Sequence, residues 1–263
     1  MQIENTGPSR PQAGIDAGSV LFEYLTEGGI TRFSVLFHRV PGVVGPVRSA
    51  RFVSVYLYHR FDALLMASGG SAYTYQKIFA DPGTPALIND FDHGQHFFRW
   101  GGRQAPHNLY TSQAELLAAA NMGARQPRAG DFARSNTWVG TEAAPNISAG
   151  DVQTSFSYNP GDNYDVVSDG QPQADMIFGS VQPRSVVVMH VRQWTTGMPE
   201  DVAGAPARDF DLTSGGAAEM YAKGTVVRGH WSSPGDLDPL VLTDGDGKPV
   251  GMPPGMIWVV LAS

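Results

Sequence analysis

Val20-Leu21-Phe22-Glu23-Tyr24-Leu25, the turn Glu27-Gly28-Gly29, and Phe33-Ser34-Val35-Leu36-Phe37-His38 decide how this 263-residue chain folds. Two runs of aliphatic, aromatic and β-branched residues flank a Gly-Gly pair, the pattern of two strands joined by a tight turn. Working outward, Ala63-Leu64-Leu65-Met66-Ala67 reads as a third strand, residues 51–60 as an amphipathic helix, and residues 71–79 as a helix that follows Gly69-Gly70. Ser112-Gln113-Ala114-Glu115 is a capping box that opens a helix through Met122, with Gly123 as its C-cap. Between about residues 124 and 150 the composition shifts to Gly, Pro, Ala, Asn and Ser without periodicity, which predicts a linker or long loop.

Beyond that point the pattern is mainly β. Strands are predicted at 154–158, 164–167, 185–194, 224–231, 240–243 and 257–261, punctuated by Asn159-Pro160-Gly161, Asp169-Gly170 and Asp244-Gly245-Asp246-Gly247. The expectation is an α+β or α/β protein with a layered α/β N-terminal domain at 1–130, a linker at 131–150 and a smaller β-rich domain at 151–263.

Hydrophobic residues make up 42% of the chain and charged residues 16%, enough apolar material for a core and too little charge for a disordered polymer. The longest apolar runs, such as Ile257-Trp258-Val259-Val260-Leu261, stop far short of the roughly 20 residues of a membrane-spanning helix. Met1-Gln2-Ile3-Glu4-Asn5 lacks the basic-then-apolar pattern of a signal peptide. The net charge of −7 divides into +2 over residues 1–130 and −9 over 131–263. An acidic total with no Lys/Arg run excludes phosphate-backbone binding to nucleic acid. Only Lys77, Lys223 and Lys248 are lysines, so the cationic half is almost wholly arginine, whose planar fork suits carboxylate or phosphate. With no cysteine there is no disulfide, thiolate nucleophile or Cys-ligated metal.

Several motifs occur in a fixed order: Arg10-Pro11-Gln12-Ala13-Gly14, Gly28-Gly29-Ile30-Thr31-Arg32, Gly45-Pro46-Val47-Arg48-Ser49-Ala50-Arg51, Gly69-Gly70-Ser71 and Ala105-Pro106-His107-Asn108-Leu109-Tyr110. Asp169-Gly170 with Pro172 and Asp175, Gly229-His230-Trp231, Asp244-Gly245, and Pro254-Gly255 with Trp258 follow. Together they resemble the YerB-like lipoprotein family over nearly the whole chain. The resemblance implies an extracytoplasmic bacterial envelope protein, often lipid-anchored, with an α/β part, a β-rich part and no assigned biochemical role. The chain departs from the family pattern at Ala67, where a histidine is frequent, and at Gly18-Ser19 in place of Ala-Asp. It also lacks a leader and a lipid-bearing cysteine, so contact with a membrane is expected only through an anchor absent from this sequence.

Glu27, Arg32, Arg48, Arg51, Arg103, His107, Asn108 and Tyr110 all fall at predicted strand ends, turns or loops, where ligand sites collect. Ser49 and Ser71 join them as ligand-binding candidates. In a shared cleft the arginines would hold an anionic small molecule or a cell-wall glycan fragment, while Glu27 or His107 would move a proton. A purely structural ion-pair network is the competing reading. Ser68-Gly69-Gly70-Ser71 can bind an anion at a helix N-terminus, although Ser71 reads first as a cap, and the Gly-x-Ser-x-Gly elbow of hydrolases is missing. Asp90, Asp92, His93 and His96 fit no standard metal spacing and read as a solvated loop, and Asp244-Gly245-Asp246-Gly247 reads as a hairpin turn rather than a calcium loop. No metal or cofactor is expected.

Trp194 and Trp258 read as structural, with Trp100 near the cleft. Glu23 and Glu27 would be the carboxylates of a glycoside hydrolase. Binding of an anionic ligand is the leading expectation. The alternatives are a glycan hydrolase or lyase using Glu27 and His107, and a protein-interaction module docking through the acidic C-terminal half.

Overall fold

The computed structural model describes residues 1–39, 41–80, 87–122, 132–201, 203–233, 235 and 238–263. In chain order the elements that carry the argument begin with strands β1 (Gln2–Glu4), β2 (Val20–Leu25) and β3 (Thr31–Leu36) and helix α1 (Phe52–Arg60). Strand β4 (Leu65–Ala67), helix α2 (Ala72–Phe79), strand β5 (Leu87–Asn89) and helix α3 (Gln113–Met122) follow. The second half supplies β6 (Ser185–His190), the hairpin β7 (Gln193–Pro199) and β8 (Pro206–Phe210), and then β9 (Gly215–Ala222), β10 (Thr225–Ser232), β11 (Val241–Asp244) and β12 (Ile257–Ala262).

One sheet runs through the molecule in the order β1-β3-β2-β12-β6-β9-β10-β11, with Glu142–Ala143 as a ninth strand beside β10. β12 lies parallel to both neighbours, Ile257 standing opposite Val20 on one side and Ser185 on the other. The last strand of the chain therefore joins the first half to the second. Its sequence explains why: all six residues of β12 are buried, as are all six of β2, and a strand covered on both faces is apolar throughout rather than alternating.

Period-two geometry then sorts these residues into two cores. Leu21, Val186, Val188, Trp258 and Val260 face one side, where they meet Ile147, Phe156, Tyr164 and Val166 of a smaller four-stranded sheet. Val20, Phe22, Val187, Val259 and Leu261 face the other, against Val53 and Leu57 of α1 with Phe132 and Phe210. Each such burial contributes about 1.5–3 kcal/mol, more than a surface ion pair supplies. Both cores draw side chains from either side of residues 131–150, so the two halves share their packing.

Three α-helices stand among the described residues and the sheets dominate, an α+β class. The expected helices appear as α1, α2 and α3, and Glu115 N donates to Ser112 Oγ at 3.3 Å as the capping box requires. The C-cap at Gly123 lies outside the described residues.

Elsewhere the structure differs from the sequence pattern. The strand expected at 185–194 ends at His190 and a separate hairpin begins at Gln193. The described part of the expected linker carries two short strands, Glu142–Ala143 and Asn146–Ser148, and buries Phe132. Residues 215–222, Gly-Gly-Ala-Ala-Glu-Met-Tyr-Ala, carry no strand signal, yet they form β9 because small residues allow close approach: a Cβ on Gly216 would lie 2.3 Å from the His190 carbonyl oxygen.

Candidate functional site

The candidate side chains gather in two nests on either side of Arg32. The first is built where the turn after β2 meets the start of α1. Gly28 and Gly29 hold φ of +72° and +74°, a left-handed conformation that glycine adopts without penalty, and this turn presents Glu27 to Arg51. Arg51 grips Glu27 with two parallel bonds, Nε to Oε2 at 2.9 Å and Nη2 to Oε1, while Nη1 donates to the Ala50 carbonyl at 3.1 Å.

A residue that the sequence did not single out completes this nest. Glu200, just past the end of β7, places Oε1 at 3.6 Å from Arg51 Nε and accepts from Ser71 Oγ at 3.1 Å and Thr74 Oγ1 at 3.4 Å. Ser71 also caps α2, accepting from Thr74 N at 3.1 Å. The two carboxylates are pushed apart in acidity. Burial lifts Glu200 above the usual carboxylate range, only partly offset by Arg51 and Ser71, and Glu27 lifts it further. Burial also lifts Glu27, but the Arg51 bonds and charge outweigh it and hold Glu27 below that range. Beside Arg51 a shallow recess is lined by Tyr24, Leu25, Glu27, Val53, Arg208 and Phe210, which brings a further arginine to the rim.

The second nest surrounds Glu4, on β1. Its Oε1 accepts from Arg48 Nη2 at 2.8 Å and Thr6 Oγ1 at 2.8 Å, and meets His107 Nδ1 at 2.9 Å. Glu4 Oε2 and Arg48 Nε are buried without a hydrogen-bond partner. Burial raises the Glu4 carboxyl, but Arg48, Thr6 and His107 together hold it below its ordinary range. Nearby, Arg103 donates to the carbonyls of Ser9 and Pro11 at 2.5 and 2.6 Å and to Tyr110 Oη at 2.8 Å, with its guanidinium 5.6 Å from the Trp100 ring. Asn108 accepts from Arg99 at 2.9 Å and donates to the Arg103 carbonyl at 3.0 Å. Tyr110 is 1% exposed. Arg103, Asn108 and Tyr110 thus brace their own loop, while His107 is held by Glu4 and Glu27 by Arg51.

Arg32 lies between the nests. It is 5% exposed, donates through Nη1 to the Ser49 carbonyl at 3.2 Å, leaves Nε buried without a partner, and makes no ion pair among the described residues. Burial first, then the charge of Arg51, brings its pKa down to about 10, against the opposing pull of Tyr24 and Glu27. Ser49 itself donates Oγ to the Ser68 carbonyl at 2.8 Å.

Glu23 does not join Glu27. It is fully buried, accepting from Asn5, Thr31, Thr154 and the Trp258 indole at 2.9–3.3 Å, and is a hub of the core. Trp194, expected to be structural, is 39% exposed with the Arg192 guanidinium 5.3 Å from its ring. No group of three or more metal-ligating side chains forms among the described residues, and His96 pairs instead with Glu115 at 2.9 Å. Asp244 Oδ1 closes its own turn by accepting from Asp246 N and Lys248 N.

Comparison with known proteins agrees with the motif order. The models described as "Protein of unknown function (DUF3048) N-terminal domain" and "Protein of unknown function (DUF3048) C-terminal domain" match residues 1–126 and 144–259, and the chain belongs to this family. It is 28% identical to "Putative lipoprotein YerB" of Bacillus subtilis (strain 168) over 98% of this chain and 78% of that one. The crystal structure of YerB protein from Bacillus subtilis superposes with a TM-score of 0.82 at 26% identity, covering 99% of this chain and 88% of that one.

Proposed function

We propose that this DUF3048-family chain is an extracytoplasmic envelope protein that binds an anionic ligand, such as an acidic cell-wall glycan fragment, on the arginine face centred on Arg32. The extracytoplasmic placement is supported by the lipoprotein designation of its Bacillus subtilis relative. No described helix is long and apolar enough to cross a membrane.

The observation that carries the reading is the buried Arg32 guanidinium, which no carboxylate contacts among the described residues and whose Nε has no hydrogen-bond partner. Taking a cation out of water costs several kcal/mol unless an anion meets it. Glu4 pairs directly with Arg48 and Glu27 with Arg51, while Arg32 hydrogen-bonds a backbone carbonyl and feels the Glu27 charge without touching it. An arriving carboxylate, sulfate or phosphate would recover that cost, and the planar donor fork of arginine matches its oxygens.

Sulfate, whose charge is constant near neutral pH, is titrated calorimetrically into wild-type and Arg32→Met proteins, and both are incubated with cell-wall sacculi. The substitution is expected to weaken sulfate binding by about tenfold or more, equivalent to about 1.4 kcal/mol, and to reduce retention on sacculi. Folded Arg32→Met protein that binds both as the wild type does would reject the reading.

A further inference from the structure

We propose that the loop Met176-Ile177-Phe178 is a membrane-docking tip: its side chains enter the interface of an anionic bilayer, and Arg99 and Arg103 of the neighbouring loop meet the lipid phosphates. The proposal goes beyond the Arg32 reading and uses none of its residues. Contact with a membrane would then not depend on a lipid anchor alone.

Met176, Ile177 and Phe178 are each 43–49% exposed, the one run of three consecutive exposed large apolar residues among the described residues. Solvent-facing surfaces avoid such runs unless a contact requires them. The loop is also firmly built. It turns between the short strands Ala174–Asp175 and Gly179–Ser180, and the buried Asp175 carboxylate holds it from inside. Asp175 Oδ1 accepts from Ile177 N at 2.8 Å, Phe178 N at 3.3 Å and Gly14 N at 3.1 Å, and Oδ2 accepts from Asp16 N at 3.2 Å. Met176 N donates to the Gln12 carbonyl at 2.7 Å. The apolar side chains are thus held outward in advance, which lowers the ordering cost of any contact they make.

Positive charge lies beside the tip. Arg103 Nη2 donates to the Pro11 carbonyl at 2.6 Å, and Met176 N to that of the next residue. Adjacent carbonyls on a trans chain put the Arg103 guanidinium within roughly 11 Å of the Met176 amide. Arg103 carries the exposed Trp100 ring with it, and Arg99 on the same loop is exposed. Arg99 and Arg103 bond only to neutral groups, so neither is paired with a carboxylate among the described residues. The acidic groups nearby are engaged instead: Asp175 faces inward, Asp169 pairs with Arg10, and Asp16 accepts from Gln182 N.

This charge and this shape select the occupant. Unpaired arginines beside Trp, Phe, Ile and Met suit the boundary between lipid phosphates and acyl chains, where guanidinium heads stay with the phosphates and apolar side chains sink. Three half-exposed side chains on a convex turn fall far short of the roughly 800 Å² per partner that a stable protein interface buries. A fluid bilayer conforms to a convex tip and needs no matching pocket.

Flotation with vesicles of equal parts phosphatidylglycerol and phosphatidylcholine tests this, with pure phosphatidylcholine vesicles as the neutral arm and circular dichroism establishing that each variant is folded. The wild type should float with the anionic vesicles, and the Ile177→Ser/Phe178→Ser double variant should partition about tenfold less or weaker. Arg99→Gln should cost about fivefold on anionic vesicles and nothing on neutral ones. Because the chain has no cysteine, Ile177→Cys accepts a single environment-sensitive fluorophore, whose emission should brighten and shift to the blue when anionic vesicles are added. Vesicle binding that survives the double serine variant, or a fluorophore that stays in water while the protein floats, overturns the proposal. So does a wild type that ignores anionic vesicles, which would make a protein the occupant of the tip.

Discussion

Glu4 and Arg32 stand opposite each other in the register of β1 and β3, yet the carboxylate turns to Arg48, Thr6 and His107 and leaves Arg32 with a single backbone carbonyl. A pairing that the register offers is not made. The result is a buried guanidinium without a direct ion pair among the described residues, flanked by two arginines that have one.

Arg32→Met should therefore melt at a higher temperature than the wild type, because a buried ion that no carboxylate contacts destabilises the fold and an apolar side chain of similar length does not. A gain of about 1 kcal/mol or more is expected, read as a rise of roughly 2–4 °C by differential scanning calorimetry. A lower melting temperature would assign Arg32 to scaffolding.

Glu4→Gln should have the opposite sign. It removes the charge that holds Arg48 and the carboxylate that His107 meets, leaving the Arg48 guanidinium without its counterion in a half-buried site. Urea unfolding should show a loss of about 2–3 kcal/mol, somewhat less than for a fully buried pair because Arg48 retains partial exposure. A change under about 0.5 kcal/mol, the range of ordinary surface substitutions, would contradict this account.

Glu23 gives the protein a pH dependence. Burial pushes its carboxyl up to about 7, with the hydrogen bonds from Thr154, Thr31 and Trp258 offsetting only part of that shift, against 4.5 for the free group. Between those values the folded state holds more protons than the unfolded one, so stability from this group is complete below about pH 4.5 and is lost as pH rises toward 7. The wild type should therefore gain about 3 kcal/mol relative to Glu23→Gln as pH falls from 7 to 4.5. Parallel stability profiles for the two proteins would refute it.

Trp258→Phe tests the joint between the halves. The indole is fully buried on β12, packs edge-on to Phe33 and Phe156, and donates to Glu23 at 3.0 Å. Its loss shrinks the core and deprives a buried carboxylate of a donor, for a combined cost of about 2–4 kcal/mol in urea unfolding. Combining it with Glu23→Gln should cost less than the two changes added separately, because they share one bond.

By itself the sequence determined what depends on neighbours a few residues apart. The apolar runs at 20–25 and 257–261 form the fully buried strands β2 and β12, Ser71 caps α2, Ser112 caps α3, and the Gly28-Gly29 pair makes its turn. These depend on side-chain period, capping geometry and backbone freedom, all local quantities. The arginines were also visible as candidates. Which of them meet a carboxylate was not, because that depends on where Glu4, Glu27 and Glu200 end up. Glu200 reaches Ser71 only because the β7–β8 hairpin packs near α1 across the shared core, and β9 takes its place through close contacts with His190 and Trp231 that no local propensity records. Tertiary structure decided the site because the energy of a buried charge depends on the few ångströms to its nearest counterion, and that distance is fixed by strand register and loop closure between segments 24 to 129 residues apart.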